Sequence, residues 1–165
     1  LAIGGGSFAP SRGLWALATA AGDVCVWDER AGEAARVHLD GVQCEVAGVG
    51  MWGSRTVAAC GDSAHFIDWR MSRVVQRVDV GEVTGGILGS EASEQGVVAA
   101  VSTSAGVCVV NETGVLQWHH TPAPVVALAT NLHATAHAHR VSAHNVLYAA
   151  VADEENPLIT LKTAQ

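Results

Sequence analysis

Residues 14–33 read LWALATAAGDVCVWDERAGE, and the way this stretch divides decides the fold. Residues 14–20 form an apolar run, residues 24–28 are β-branched and aromatic, and Ala21-Gly22-Asp23 lies between them, so two strands are expected to pair across a tight turn. The apolar pattern stops at Asp28. Residues 28–32, DERAG, are polar and end in glycine, a composition that reverses the chain toward a third strand at 34–39.

The same order recurs on either side. Residues 1–8, LAIGGGSF, supply a short Gly-rich strand, and residues 9–13, APSRG, have the composition of a turn, which makes a first unit of about four strands. A second unit follows Gly41-Val42-Gln43, with strands expected at 44–52, 56–60 and 65–69. Val26 aligns there with Ile67 and Val37 with Val78, each pair 41 residues apart. A third unit has strands at 84–90, 97–102 and 107–111, with a polar connection at 91–96. Its VCVVN at 107–111 overlays VCVWD at 24–28 at a separation of 83, about twice the period. A fourth, at 125–132, 146–152 and 158–161, is stretched by a His-rich segment at 132–145 and lacks an outer strand. Units at 1–40, 41–80, 81–124 and 125–165 with a period near 41 match four-stranded antiparallel blades. The expected fold is therefore all-β, a β-propeller or part of one. Because the chain opens at Leu1 and stops where the last outer strand should begin, it is expected to be a piece of a larger propeller.

Composition agrees with stacked sheets. Of the residues 49% are apolar and 15% charged, more apolar than a sheet with one wet face requires, so both faces of most sheets should be covered. The apolar runs are far shorter than the ~20 residues of a membrane helix, and residues 1–10 lack the basic region of a secretory leader. Nine basic residues face sixteen acidic ones, for a net charge of −7, and the basic ones are scattered, which disfavours nucleic acid and favours basic protein partners. Cys25, Cys44, Cys60 and Cys108 show no CxxC spacing and are expected to be reduced thiols of an intracellular protein.

No residue set announces chemistry, and neither a catalytic residue nor a metal or cofactor is expected. His119, His120, His133, His137, His139 and His144 could offer imidazoles to Zn²⁺ or Cu²⁺, yet the segment around most of them has no cysteine and few carboxylates and reads as a polar insertion. Ser7, Ser54, Ser63 and Ser104 fall at turns or strand ends without a nucleophile elbow. Asp28, Glu29, Asp62, Asp68, Asp153, Glu154 and Glu155 sit at turn-like places in different units, where solvated turns are expected. Gly4-Gly5-Gly6 is followed by neither Lys-Ser/Thr nor a helix pattern, so it is no phosphate loop. Trp27 and Trp118 fall where the repeat needs large packing residues between blades, whereas Trp15 and Trp52 are the better candidates for partner contact.

Residues 8–13, FAPSRG, followed by LAT at 17–19 and VCVWD at 24–28, resemble a WD repeat. In that family a strand Trp, a strand Ser or Thr, a turn Asp and a His form a hydrogen-bonded tetrad. Trp27 and Thr19 match the first two, while Ala21 occupies the Asp position and no Gly-His pair opens a unit. At the place of Trp27 the second unit is expected to carry Asp68 and the third Val110. Residues 106–118, GVCVVNETGVLQW, are similar to a quinoprotein-type propeller repeat, whose Gly and Trp dock between blades; enzymatic members of that family use a quinone beside Ca²⁺. The WD resemblance implies a non-enzymatic platform for protein–protein contacts within a multiprotein complex. The alternatives are a quinoprotein-like oxidoreductase and a purely structural subdomain of a larger assembly.

Overall fold

The computed structural model describes residues 3–9, 13–39, 46–52, 55–92, 96–130, 146–153 and 158–162. Fifteen strands and no helix are found among them, in four antiparallel sheets. The first sheet is a meander of β1 (Ile3–Ala9), β2 (Leu14–Thr19), β3 (Asp23–Asp28) and β4 (Glu33–His38). The second repeats it with β5 (Val46–Trp52), β6 (Arg55–Cys60), β7 (Ser63–Asp68) and β8 (Arg73–Asp79). The third has β9 (Val83–Ala92), β10 (Gly96–Thr103), β11 (Gly106–Asn111) and β12 (Gly114–His120). The fourth, among the described residues, is three-stranded: β13 (Val125–Thr130), β14 (Val146–Val151) and β15 (Leu158–Lys162). Strand β9 runs through Ala92 and β10 starts at Gly96, so the expected polar connection at 91–96 is shorter and its ends pair as strand.

The sheets pack face to face. Ala16, Ala18, Val24 and Val26 of the first sheet meet Ala58, Cys60 and Ile67 of the second in one buried cluster. On the other face of the second sheet, Val57, Ala59, Ala64 and Phe66 meet Ala99, Val101, Cys108 and Val110 of the third. Val107, with Leu88 and Ala100 beside it, then packs against Val125, Ala149 and Val151 of the fourth. Alternate residues of a strand point to opposite faces, so a middle sheet covered on both sides must be apolar at nearly every position. Strand β7, Ser-Ala-His-Phe-Ile-Asp, is buried at five of its six positions for this reason. The first strands stand side by side in chain order, β1 against β5, β5 against β9, and β9 against β13.

Glycine makes that approach possible. A Cβ on Gly85 would lie 2.7 Å from the carbonyl oxygen of Val126, and one on Gly48 would lie 3.1 Å from the backbone nitrogen of Ile87. Beside Gly85, the Thr84 hydroxyl donates to the Val125 carbonyl at 2.6 Å, tying β9 to β13.

The register corrects the sequence alignment at one place. Ala18 pairs with Val24 and Ala59 with Ala64, so the second strands are 41 residues apart and the third strands only 40. The β6–β7 turn is one residue shorter than the β2–β3 turn. The counterpart of Val26 is thus Phe66, not Ile67, and Trp27 corresponds to Ile67, not Asp68. A bulge in β8, opposite Phe66 and Ile67, restores the lost residue, so that Val24 faces Val37 and Ala64 faces Val78, 41 residues on. A one-residue slip moves a side chain to the opposite face, and Phe66 and Ile67 indeed belong to different clusters. The expected packing role of Trp27 also fails. Its equivalents Ile67 and Val110 are fully buried against the preceding sheet, whereas Trp27 is 43% exposed because no described sheet covers that face.

Candidate functional site

In the first two sheets polar side chains gather where the third strand begins. Asp23 was expected in a turn; it is instead the first residue of β3, buried, directly opposite His38 and diagonal to Arg36, two residues before His38 on the same face of β4. The Arg36 guanidinium and the His38 ring, whose Nδ1 lies 2.8 Å from Oδ1, both hold its carboxylate. Arg36 first, then His38, keeps the Asp23 carboxyl below its ordinary pKa, against the opposing effect of burial. Its backbone N–H donates to Thr19 Oγ1 at 3.2 Å, closing the turn. The signal in the sequence was Arg36 and His38 at alternate positions on one face of a strand, opposite a lone acid.

The second sheet repeats the arrangement with other residues. Ser63 stands at the position of Asp23 and Arg77 at that of Arg36. Ser63 Oγ donates to Asp62 Oδ1 at 2.6 Å and accepts from Arg77 Nε at 2.8 Å, while Arg77 Nη2 donates to Asp62 at 3.0 Å. Ser63, placed by the sequence at a turn or strand end, is therefore a buried first strand residue with its hydroxyl already engaged. The Ser63 hydrogen bond and then Arg77 hold the Asp62 carboxyl low, which leaves it a poor general base near neutral pH. Asp62 and Asp79 project from this rim with side chains 68% and 84% exposed, so oxygen lone pairs remain for a donor from solvent or a partner.

The opposite rim is built from the hairpin turns that follow the third strands. Asp28, Asp68 and Asn111 occupy equivalent positions, and the Oδ1 of each accepts a backbone N–H two residues on, from Arg30, Arg70 and Thr113. Such Asx turns explain the polar residue that ends the third strand in each of the first three sheets. Asp68 was expected to be a solvated turn residue; it is only 17% exposed and accepts from Arg55 Nη1 at 2.9 Å. Arg55 Nε reaches across to Glu112 Oε1 at 2.6 Å and ties the second sheet to the third.

The other singled-out residues lie apart. His119 and His120 point to opposite faces of β12; His120 stacks on Trp118 at 5.6 Å, and burial lowers the pKa of His119. His133, His137, His139, His144 and the whole segment 132–145 lie outside the described residues, as do Cys44, Ser54, Glu154 and Glu155. Among the described residues no three His, Cys, Asp or Glu side chains gather as metal ligands. Trp15 is half-buried and donates to Glu29 Oε1 at 2.6 Å. Trp118 packs, partly buried, on the cluster between the second and third sheets. Burial pushes the Cys108 thiol up to about 11. Among the described residues no helix is long and apolar enough to cross a membrane.

No family model and no curated protein matches the chain. Among solved structures 607 chains match, so the fold is common and cannot by itself select a function. One is the computationally designed Ika4 protein, 15% identical with a TM-score of 0.69, over 99% of this chain and 92% of that one. Another is the computationally designed Ika8 protein, also 15% identical with a TM-score of 0.64, over 98% of this chain but 46% of that one. At this identity the likeness is one of fold alone.

Proposed function

We propose that the four sheets are blades of a divergent, WD-repeat-like β-propeller, and that the protein is a non-enzymatic scaffold for protein–protein contacts in an intracellular complex. The observation that carries the reading is the repeated register: equivalent residues of consecutive sheets take equivalent places in face-to-face junctions, with the first strands side by side. Such a stack is rigid, and its two rims present short turns whose side chains can vary without disturbing the junctions. Both rims carry polar side chains held by one another, an arrangement suited to recognition. The exposed carboxylates of Asp62 and Asp79, with a net charge of −7, favour a basic partner.

Affinity capture with the tagged chain, followed by mass spectrometry, tests this. A stoichiometric basic protein is expected, lost in Asp62→Asn/Asp79→Asn and weakened by salt. Capture of no protein, together with tight binding of Ca²⁺ and a quinone, would instead favour the quinoprotein-like reading. That second reading draws its support from Trp118, which seats between sheets as the similar repeat requires. A structural subdomain would show partner loss only when the junctions themselves are broken.

A further inference from the structure

Among the described residues, no sheet covers the outer face of either end sheet, and the register says what fits there. Leu17, Cys25 and Trp27 of the first sheet correspond to Ala58, His65 and Ile67 of the second and to Val101, Cys108 and Val110 of the third. The six counterparts are all buried against a preceding sheet of this chain, whereas Leu17 and Cys25 are half-buried and Trp27 is exposed. At the other end Ala127, Ala150 and Leu158 form a row across the fourth sheet, on the face turned away from the third. Leu158 is 64% exposed.

We propose that the fourth sheet of a second copy seats on the first sheet through these two faces, and that two copies close on each other head to tail. The proposal rests on the reading of the sheets as blades. What covers the equivalent face at each internal junction is always a sheet of this same chain, so the matching surface is one the chain itself carries. The fit of this chain onto 46% of Ika8 shows that a fold of about twice its length accommodates it as a half. A head-to-tail contact uses two different faces, so each copy contributes both, and rotation can close the pair.

Sedimentation equilibrium on the 165-residue chain tests this directly. The expected mass is twice the chain's 17.0 kDa, and both Trp27→Arg and Leu158→Arg should lose the pair, since either charge would enter an apolar contact. Both side chains are exposed in the single chain, so circular dichroism should stay unchanged. Met71→Arg, an exposed turn position away from both faces, should leave the pair intact. Mixing the two single variants should restore one of the two junctions, seen as partial recovery of the paired mass. Alkylation of Cys25, mapped by peptide mass spectrometry, should slow as concentration rises. A one-chain mass in the wild type overturns the proposal, most plainly with Cys25 protected at all concentrations, which would mean that the chain covers its own face. A pair that survives Leu158→Arg overturns it as well, because the first sheets would then be meeting each other. In either case a basic partner captured through Asp62 and Asp79 would leave the scaffold reading standing.

Discussion

Gly85 and Gly86 are neighbours in one strand, and the structure separates them sharply. A methyl group on Gly85 would meet the Val126 carbonyl, a backbone atom that can yield only if β13 moves, whereas nothing lies within 4 Å of a Cβ on Gly86. Gly85→Ala is expected to cost about 1–3 kcal/mol, and Gly86→Ala to stay within about 0.5 kcal/mol of wild type, both read from urea unfolding midpoints. His65 offers a second residue-scale test. Its ring is buried between the first and second sheets and its Nε2 has no hydrogen-bond partner. Burial, with Arg77 nearby, holds its pKa below the ordinary value. The folded state therefore binds a proton less readily than the unfolded chain. Stability is greatest above the unfolded pKa of about 6.5 and falls as the pH drops through it toward the folded value. The thermal midpoint should decline between about pH 7 and pH 5, and His65→Leu should flatten part of that decline. His119, shifted the same way, accounts for a further part.

Elements repeat here by position more than by residue type. Asp28, Asp68 and Asn111 close equivalent turns, but only Asp68 also holds Arg55. Replacing each with Ala should cost about 1 kcal/mol for the lost turn acceptor, with Asp68→Ala costing most, as chemical denaturation would show. The inner strands were legible in the sequence, since their β-branched runs and intervening glycines are local signals, whereas the outer strands β8 and β12, with polar residues among their exposed positions, received no range. The frame within a strand was not. Val26 and Ile67 look alike as apolar β residues, and only the pairing partners reveal that Phe66 is the true counterpart. The ion pairs around Asp23 and Ser63 were hidden for a related reason: they join strands 13 to 16 residues apart, and composition carries no record of which residues face each other. Trp118 packs between sheets as expected, whereas Trp27 misled because a repeat pattern names a packing position without saying whether a neighbour is there to fill it.

For the whole molecule, stability resides in the junctions between sheets. Cys108 lies in the junction of the second and third sheets with its thiol pushed up to about 11, so it should resist alkylation in the folded protein and react at the rate of unfolding, whereas Cys25 should react from the native single chain. Peptide mapping over a denaturant series would separate the two, and labelling of Cys108 under native conditions would show that the junction opens by itself. The bulge in β8 has a wider meaning for such a stack. The short β6–β7 turn shifts the reading frame of the second sheet by one residue, and the bulge shifts it back before the chain crosses to β9. Length can therefore drift inside one sheet while its neighbours receive the chain in unchanged phase. A slip left standing inside the second sheet would turn its apolar residues to the wrong face, so a deletion in its β6–β7 turn should be tolerated only together with an added residue in its outer strand.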